Sequence, residues 1–183
     1  MTQDSHGQKP TITRDRLLEV AEKLVRKGGA AALTISALSE AAGVSKGGVQ
    51  YSFASKDDFV RALVERWTAQ FDAMLEGTEE AEPLAFVRRY IAATLASEQA
   101  MEAKMAGLLV SYLEDPVNRQ ESRDWYRGIF ERLGATTADA QAARVAFLAV
   151  EGLFLMHMNG IDQDWEWLGF LDDVEAVLDR LSD

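Results

Sequence analysis

The chain has 183 residues, of which 48% are hydrophobic and 27% charged, a composition typical of a globular protein that buries a sizeable core. It contains no cysteine, which excludes disulfide bonds, thiolate metal sites and cysteine nucleophiles. The net charge is −11, yet residues 1–66 hold 10 Lys and Arg against 8 Asp and Glu, so the acidic excess lies in the rest. This distribution fits a DNA-binding head on a body that DNA repels, and it fits equally an acidic surface that serves solubility alone.

Neither the beginning of the chain nor its most apolar stretch predicts an association with membranes. The opening residues, MTQDSHGQKP, are polar and lack the apolar segment of a secretory signal, so we expect residues 1–12 to form a flexible arm. The longest apolar stretch, residues 145–158, contains Glu151 and is shorter than the roughly 20 residues that cross a bilayer. We therefore expect a cytoplasmic protein without a membrane partner.

Apolar residues recur with a helical period along nearly the whole chain, which predicts an all-α protein of about nine helices. The first helix is expected to begin at Thr13 and to end at Gly28 or Gly29. A second helix is expected between its N-cap Thr34 and Gly43. The residues that the first helix should bury are Leu17, Ala21, Leu24 and Val25.

Serine caps mark the next two predicted helices. Ser45 is expected to cap a short third helix, and Ser55 a long fourth helix that continues to about Glu76. Breaks rich in glycine, proline and acidic residues divide the remainder into five further helices. Pro83 and Pro116 fall at predicted boundaries, where proline is compatible with a helix.

The second and third helices, with the glycine-containing turn AGVS between them, have the form of a helix-turn-helix, whose second helix enters the major groove of DNA. The third helix contains the adjacent glycines Gly47 and Gly48, although each glycine inside a helix costs about 1 kcal/mol relative to alanine. Without side chains at these positions, the backbone can approach phosphates and base edges closely. A loose surface turn explains the glycine pair as well.

The run TISALSEAAGVSKGGVQYSFASKDDFVRALV resembles the N-terminal DNA-binding region of TetR-family transcriptional regulators. The resemblance implies a homodimer with a helix-turn-helix domain at residues 13–60 and a helical effector-binding and dimerisation domain at residues 61–183. Such a regulator, usually a repressor, binds a near-palindromic operator in double-stranded DNA and is released by a small-molecule effector. The matching positions are Leu33, Thr34, Leu38, Ala42, Gly43, Val44, Ser45, Gly47, Val49, Phe53, Ser55, Lys56 and Phe59.

The same resemblance points to candidate DNA contacts. Lys46 is a candidate for guanine or phosphate, and Tyr51 for phosphate. The amide of Gln50 matches adenine, although simple solvation accounts for this residue equally. Val49 and Phe53 are expected in the core of the domain instead. The candidate DNA-contacting residues are Thr34, Ser36, Ser45, Lys46, Gly47, Gly48, Gln50, Tyr51, Ser52 and Lys56.

The last two predicted helices have the apolar surfaces that the resemblance implies for dimerisation. The eighth, about residues 139–159, is apolar around most of its circumference and is expected to be buried on several sides. In the family these two helices form a four-helix bundle with a second subunit. Packing within one chain is the alternative. The candidate dimer-interface residues are Val145, Leu148, Gly152, Leu155, Met156, Leu168, Leu171, Val174 and Leu178.

The fifth to seventh predicted helices supply aromatic and methionine side chains that suit an apolar effector pocket, although such residues are also typical of an ordinary core. Glu151 lies inside the apolar eighth helix, and its carboxylate requires a partner. The candidates for this partner are a cationic ligand, an arginine such as Arg127, and a residue across the dimer, and structural pairing is favoured over a ligand. The candidate ligand-contacting residues are Phe86, Tyr90, Met101, Met105, Leu108, Tyr112, Trp125, Tyr126, Phe130, Glu151 and His157.

The sequence favours no enzyme, cofactor or metal site. It contains no phosphate-binding loop, nucleophile elbow or zinc-binding helix motif. Its two histidines, His6 and His157, do not form a metal-ligand spacing. A helical protein-interaction adaptor with a degenerate DNA-binding head is the alternative to a regulator, and only the regulator gives the third helix a purpose.

Overall fold

The computed structural model describes residues 13–77, 82–98, 109, 112–134, 136–158, 161 and 167–182, and for 98, 157, 158, 167, 168 and 182 the backbone alone. The predicted arm, residues 1–12, lies outside the described residues. Within them the chain forms helices and no strand, which confirms the all-α prediction. The chain divides into two compact units, a first unit up to Leu63 and a second unit from Val64 onward.

The first unit begins with three α-helices, each with the N-cap expected from the sequence. The side chains of Thr13, Thr34 and Ser45 each accept a hydrogen bond from the backbone amide three residues on. Gly29 and Gly43 follow the last residues of the first two helices, as expected. The elements are α1 (Arg14–Gly28), a 3-10 turn (Ala30–Ala32), α2 (Ile35–Ala42) and α3 (Lys46–Ser52).

An apolar core holds the first unit together. Phe53 is fully buried, and its ring meets that of Phe59 edge to face, with the centroids 4.7 Å apart. The guanidinium carbon of Arg14 lies 5.0 Å from the Phe53 centroid, in a cation–π contact. Leu24 is half-buried because it lies at the edge of the buried stripe of α1, and Leu18 is buried instead. The other core residues include Leu17, Ala21, Val25, Leu33, Leu38 and Val49.

The long fourth helix, α4, spans Lys56–Leu75, close to the predicted range. Its start carries a reciprocal cap. The hydroxyl oxygen of Ser55 accepts from the Asp58 amide, and the Asp58 carboxylate accepts from the Ala54 amide, both at 3.0 Å. The division between the two units falls inside this helix.

The second unit contains four further helices with both ends described, and residues 109 and 112–114 are helical as well. Pro83 and Pro116 open two of these helices, where the missing proline amide is not needed. Among the described residues, every helix is too short or too polar to cross a bilayer. The helices are α5 (Pro83–Glu98), α6 (Pro116–Arg132), α7 (Ala138–Met158) and α8 (Trp167–Ser182).

Helix α7, which is the eighth predicted helix, is buried on one side by the described part of this chain. Phe147 and Val150 are fully buried, whereas Val145, Leu148 and Leu155 keep 69%, 56% and 55% of their surface exposed. Within the described part of this unit, α7 packs mainly against α5 and α8. The expected burial of this helix on several sides therefore stays a prediction that requires a second subunit.

Replacing Phe53 by alanine should destabilise the first unit by about 3–5 kcal/mol, because it removes a fully buried ring and leaves a cavity. The measurement is hydrogen exchange at the amides of Leu38 and Val49, whose side chains belong to the same core. Tyr51→Ala is the control, since this side chain is 93% exposed and its loss should cost no more than about 0.5 kcal/mol. Equal losses of protection in the two variants would contradict the core assignment.

Candidate nucleic-acid interface and effector site

The turn between α2 and α3 is shaped by Gly43, whose φ of 69° and ψ of 25° lie in the left-handed region that favours glycine. The amide of Val44 then donates to the Ser39 carbonyl at 3.0 Å. The hydroxyl of Ser45 accepts from the amide of Gly48 at 3.1 Å and starts α3. These local bonds fix the direction in which α3 leaves α2, as a helix-turn-helix requires.

Helix α3 buries one side and exposes the residues predicted to contact DNA. Val49 is fully buried in the core, as expected. Lys46 and Gln50, which are one turn apart, are exposed, and Tyr51 is 93% exposed. The Tyr51 ring and hydroxyl are therefore accessible to a partner. The arrangement therefore presents a cation, an amide and an aromatic hydroxyl on one short helix.

The two glycines of α3 have no packing role inside this chain. A Cβ built on Gly48 would lie 3.5 Å from the hydroxyl oxygen of Ser45 and 3.8 Å from the Cβ of Val44, both ordinary contacts. A Cβ on Gly47 would meet only the Ser45 hydroxyl oxygen, at 3.9 Å. Neither glycine has a positive φ. Alanine would fit at both positions among the described residues, so packing there does not explain the two glycines.

The remaining predicted DNA contacts lie around this helix in the same unit. Thr34 and Ser45 are exposed, and their hydroxyl oxygens already accept the cap hydrogen bonds. Ser36 and Lys56 are exposed and Ser52 is half-buried. These residues stay predictions as DNA contacts, and the caps give two of them a structural role as well.

In the second unit, the structure brings together three of the predicted ligand-contacting residues. Tyr90 on α5 donates its hydroxyl to Oε1 of Glu151 on α7, and Tyr126 on α6 donates its hydroxyl to Oε2 of the same carboxylate. Arg127, named above as a partner for Glu151, instead pairs with Asp124 at 2.6 Å. The prediction that Arg127 is a partner of Glu151 is therefore wrong, because its guanidinium pairs with Asp124 on the same helix.

Burial and charge keep both hydroxyls protonated. Burial raises the pKa of Tyr90 far above its ordinary value, and the adjacent negative charge of Glu151 raises it further. The same two causes, in the same order, raise the pKa of Tyr126. Both tyrosines therefore act as hydrogen-bond donors to the carboxylate over the whole physiological pH range.

Aromatic rings surround this tyrosine–glutamate cluster, which we define as Tyr90, Tyr126 and Glu151. The Tyr90 ring meets that of Phe147 at 4.9 Å and that of Phe71 at 5.2 Å, measured between centroids. Phe71 and Phe147 were not predicted from the sequence to lie beside this cluster. Helical spacing places each on an apolar face, but no sequence signal shows that these faces converge on Glu151.

Other predicted ligand contacts are spread more widely. Tyr112 donates its hydroxyl to Glu121 at 3.1 Å, and Trp125 donates its indole N–H to Asp72 at 2.9 Å. Phe86 is buried at 1% exposure, in the core of the second unit, which leaves its ring no surface for a ligand. Residues that lie outside the described part of the chain are Met101, Met105 and Leu108, together with the side chain of His157.

An apolar surface on α7 and α8 forms a second candidate site, here called the apolar face. On α7 its positions follow the spacing of three and four residues that helix pairs use to interlock. Gly152 lies among them with nothing within 4 Å of a built Cβ, so another helix can approach closely there. The exposed members are Val145, Leu148, Gly152, Leu155 and Met156 on α7 and Phe170, Val177 and Leu181 on α8.

On α8 the structure corrects the predicted interface. Leu171 and Leu178 are each 1% exposed and belong to the core of the second unit, so they have no surface left for a partner. Val174 is half-buried, and the side chain of Leu168 lies outside the described residues. The prediction placed Leu171 and Leu178 of this helix at the dimer interface, whereas both pack inward and Phe170, Val177 and Leu181 are the exposed apolar residues.

A groove of about 560 Å³ lies between α7 and α8 and shares Val145, Val177 and Leu181 with the apolar face. Apolar side chains such as Ala142, Val145 and Val177 make up most of its lining. Asp139 and Asp173 contribute the acidic side chains of the lining. The groove is therefore suited to apolar side chains from another helix pair rather than to a strongly polar ligand.

Two sequence models of one family match the chain. The model described as bacterial regulatory proteins, tetR family, matches residues 17–63. The model described as tetracyclin repressor-like, C-terminal domain, matches residues 84–183, which is more than half of the chain.

Relatives and solved structures point the same way. The HTH-type transcriptional regulator TtgR of Pseudomonas putida is 30% identical over 82 residues, which are 43% of this chain and 39% of that protein. The matched part thus spans about two fifths of the curated relatives. A TetR-family structure from Streptomyces coelicolor A3 matches with a TM-score of 0.66 at 23% identity, over 92% of this chain and 96% of that one. The structure of the multidrug binding protein EbrR complexed with malachite green matches with a TM-score of 0.64 at 22% identity, over 92% of this chain and 96% of that one. The two structures show a shared fold.

Alkaline titration tests the tyrosine–glutamate cluster. Because the pKa values of Tyr90 and Tyr126 are raised on folding, unfolded tyrosines lose their protons first, and the free energy of unfolding should fall as the pH rises above about 10. In a Tyr90→Phe, Tyr126→Phe variant this fall should be shallower. The folded variant should also develop as much tyrosinate absorbance near pH 10 as the wild type. If the variant instead absorbs less than the wild type near pH 10, by the amount of two tyrosinates, then the hydroxyls of Tyr90 and Tyr126 titrate normally and the assignment is wrong.

Proposed function

The chain belongs to the TetR family of transcriptional regulators, and on that premise we propose that it binds a near-palindromic DNA operator as a homodimer in the cytoplasm and is released by a small-molecule effector. In this proposal the first unit reads DNA, and the second unit dimerises and binds the effector. The observation that carries the proposal is α3, whose two glycines cost helix stability and serve no packing inside the chain.

DNA recognition by α3 follows from what its exposed side offers. Lys46 supplies a positive charge for phosphate or guanine, and Gln50 one turn later supplies an amide that matches adenine. The hydroxyl of Tyr51 is available to a phosphate, and the bare backbone at Gly47 and Gly48 lets the helix come close. With a single lysine on α3, shape readout of the operator supplements direct base contacts.

A second copy of the chain is the occupant that best fits the apolar face. The face is continuous over two helices, and the groove between them accepts apolar side chains. Two such helix pairs, related by a two-fold axis, form a four-helix bundle that covers the open side of α7. The dimer then presents two α3 helices, which reach successive major grooves when they are about 34–36 Å apart or a multiple of that.

An effector acts in this scheme by favouring one arrangement of the dimer over another. A ligand that binds the second unit better when the two α3 helices no longer match successive grooves shifts the population away from DNA. The multidrug binding protein EbrR, which shares the fold, is complexed with malachite green, and this supports a small-molecule ligand for the present chain. An adaptor with a degenerate head is less well supported, because it has no use for exposed Tyr51 and the glycine pair.

Selection from a random DNA pool tests operator binding. The wild type should enrich a near-palindromic site, and Gly47→Ala, Gly48→Ala should bind it about tenfold more weakly or worse, a loss of about 1.4 kcal/mol. The same double variant should be up to about 1 kcal/mol more stable per site, because alanine favours the helix. Lys46→Ala should reduce the slope of binding against salt concentration by about 1.

Gly128→Ala is the matched control for the glycine variant, because it also adds a methyl group to an unobstructed helical position, on α6. It should leave operator binding unchanged. If the wild type enriches no sequence at low salt while folded, the adaptor reading replaces the regulator. If the glycine variant binds as tightly as the wild type, close approach of α3 is not the reason for the glycines.

Leu148→Glu should convert the homodimer into folded monomers, because a charge in the centre of the apolar face remains unpaired when the second copy packs on it. Sedimentation measures the mass, and circular dichroism checks that the helices persist. Val117→Glu is the control: Val117 on α6 is 56% exposed, the same fraction as Leu148, but lies outside the apolar face. A dimer that tolerates Leu148→Glu would place the interface elsewhere.

A further inference from the structure

We propose that Glu151, with its carboxylate held by Tyr90 and Tyr126, anchors an organic cation that carries an aromatic body. The residues that would bind such a cation all lie in the second unit. Only the role of this cation as the effector that releases DNA rests on the proposed function.

The first feature that favours a cation is the charge of the tyrosine–glutamate cluster. Glu151 is half-buried on α7, and within the described residues its two partners are neutral hydroxyls. Both hydroxyls stay protonated, so the cluster carries a net negative charge that nothing described here neutralises. A carboxylate offers about four acceptor positions, of which the tyrosines occupy two. No other donor to this carboxylate occurs among the residues that the structure describes, and a partly desolvated anion favours a positive ligand.

The second feature that favours an aromatic cation is the aromatic surface beside the carboxylate of Glu151. Tyr126 is 37% exposed, and its ring lies 5.0 Å from that of Trp125. Phe130, one turn further along α6, is 42% exposed and lies 5.6 Å from Phe147. Aromatic faces attract cations and also stack on flat apolar rings. The open edge of the cluster therefore offers one charge and several ring faces, which together match an aromatic cation.

Other ligand classes fit less well. An anion would be repelled by Glu151 and by the acidic part of the chain, since residues 67–183 hold 9 Lys and Arg against 22 Asp and Glu. A neutral apolar ligand would cover the rings but leave the carboxylate without a counter-charge, at a cost in desolvation. A small inorganic cation would gain nothing from the rings of Tyr126 and Phe130.

Calorimetric titration of the purified full-length protein with three organic cations of different size tests the proposal: benzyltrimethylammonium, ethidium and crystal violet. Leuco crystal violet, which has nearly the same skeleton without the charge, is the ligand control. Glu151→Gln keeps the shape and hydrogen-bonding capacity of the side chain but removes its charge. We expect this change to weaken binding of the tightest cation about 10- to 100-fold, the range for losing a charged hydrogen-bond partner.

Glu121→Gln is the matched protein control, because Glu121 also accepts a tyrosine hydroxyl, that of Tyr112, in the same unit. It should bind the cations as the wild type does. Tyr126→Phe, which keeps the ring and the charge of Glu151, should lose less affinity than Glu151→Gln. Thermal unfolding of each variant verifies that the fold persists.

The proposal is overturned if none of the three cations binds the wild type, if leuco crystal violet binds as tightly as crystal violet, or if Glu151→Gln binds cations unchanged. Equal losses in Glu121→Gln and Glu151→Gln would reduce the effect to general surface charge and would also overturn it. Operator binding is scored separately by the DNA selection. Failure of cation binding with an intact operator complex removes this ligand class alone, whereas loss of operator binding removes the proposed function and leaves the cation site standing.

Discussion

The structure depends on helix α7, which the described part of the chain covers on one side only. α7 is apolar around most of its circumference, and α5 and α8 bury only the side that carries Phe147 and Val150. The opposite side leaves Val145, Leu148 and Leu155 more than half exposed, so each forgoes part of the about 1.5–3 kcal/mol that complete burial supplies. In the proposed homodimer, a second copy would recover that free energy. The same helix would then stabilise the subunit with one side and determine its oligomeric state with the other.

Glu151 interrupts this apolar helix between its two sides. A carboxylate at such a position is tolerated because Tyr90 and Tyr126, from two other helices, supply its hydrogen bonds. Leu148 and Leu155, one turn before and one turn after Glu151, belong to the apolar face. In the proposed dimer, a ligand bound at Glu151 would lie beside side chains that pack against the second copy. This proximity would give effector binding a physical route to the geometry of the dimer, with no need for a long chain of contacts.

The sequence predicted correctly the features that depend on residues close together along the chain. Thr13, Thr34 and Ser45 were predicted as caps because a hydroxyl before an apolar period acts within three residues. Contacts between distant helices were not predictable in detail. The stripe of α8 was assigned to the wrong side because leucines and the other apolar residues both recur with a helical period, and only packing decides that Leu171 and Leu178 face inward. Likewise, composition showed that Glu151 needs a partner but not that two tyrosines provide it.

The glycines of α3 show how a departure from a local rule can identify function. Every other feature of the first unit agrees with its fold: hydroxyl caps, a left-handed glycine at the turn, and a fully buried Phe53. Gly47 and Gly48 alone lower the stability of the helix that contains them, and a Cβ at either would meet only ordinary contacts. A packing constraint would have left a neighbour closer than 3.4 Å to one of these positions. Packing among the described residues therefore does not account for the two glycines, and under the proposed function a DNA backbone is the partner that close approach to α3 would serve.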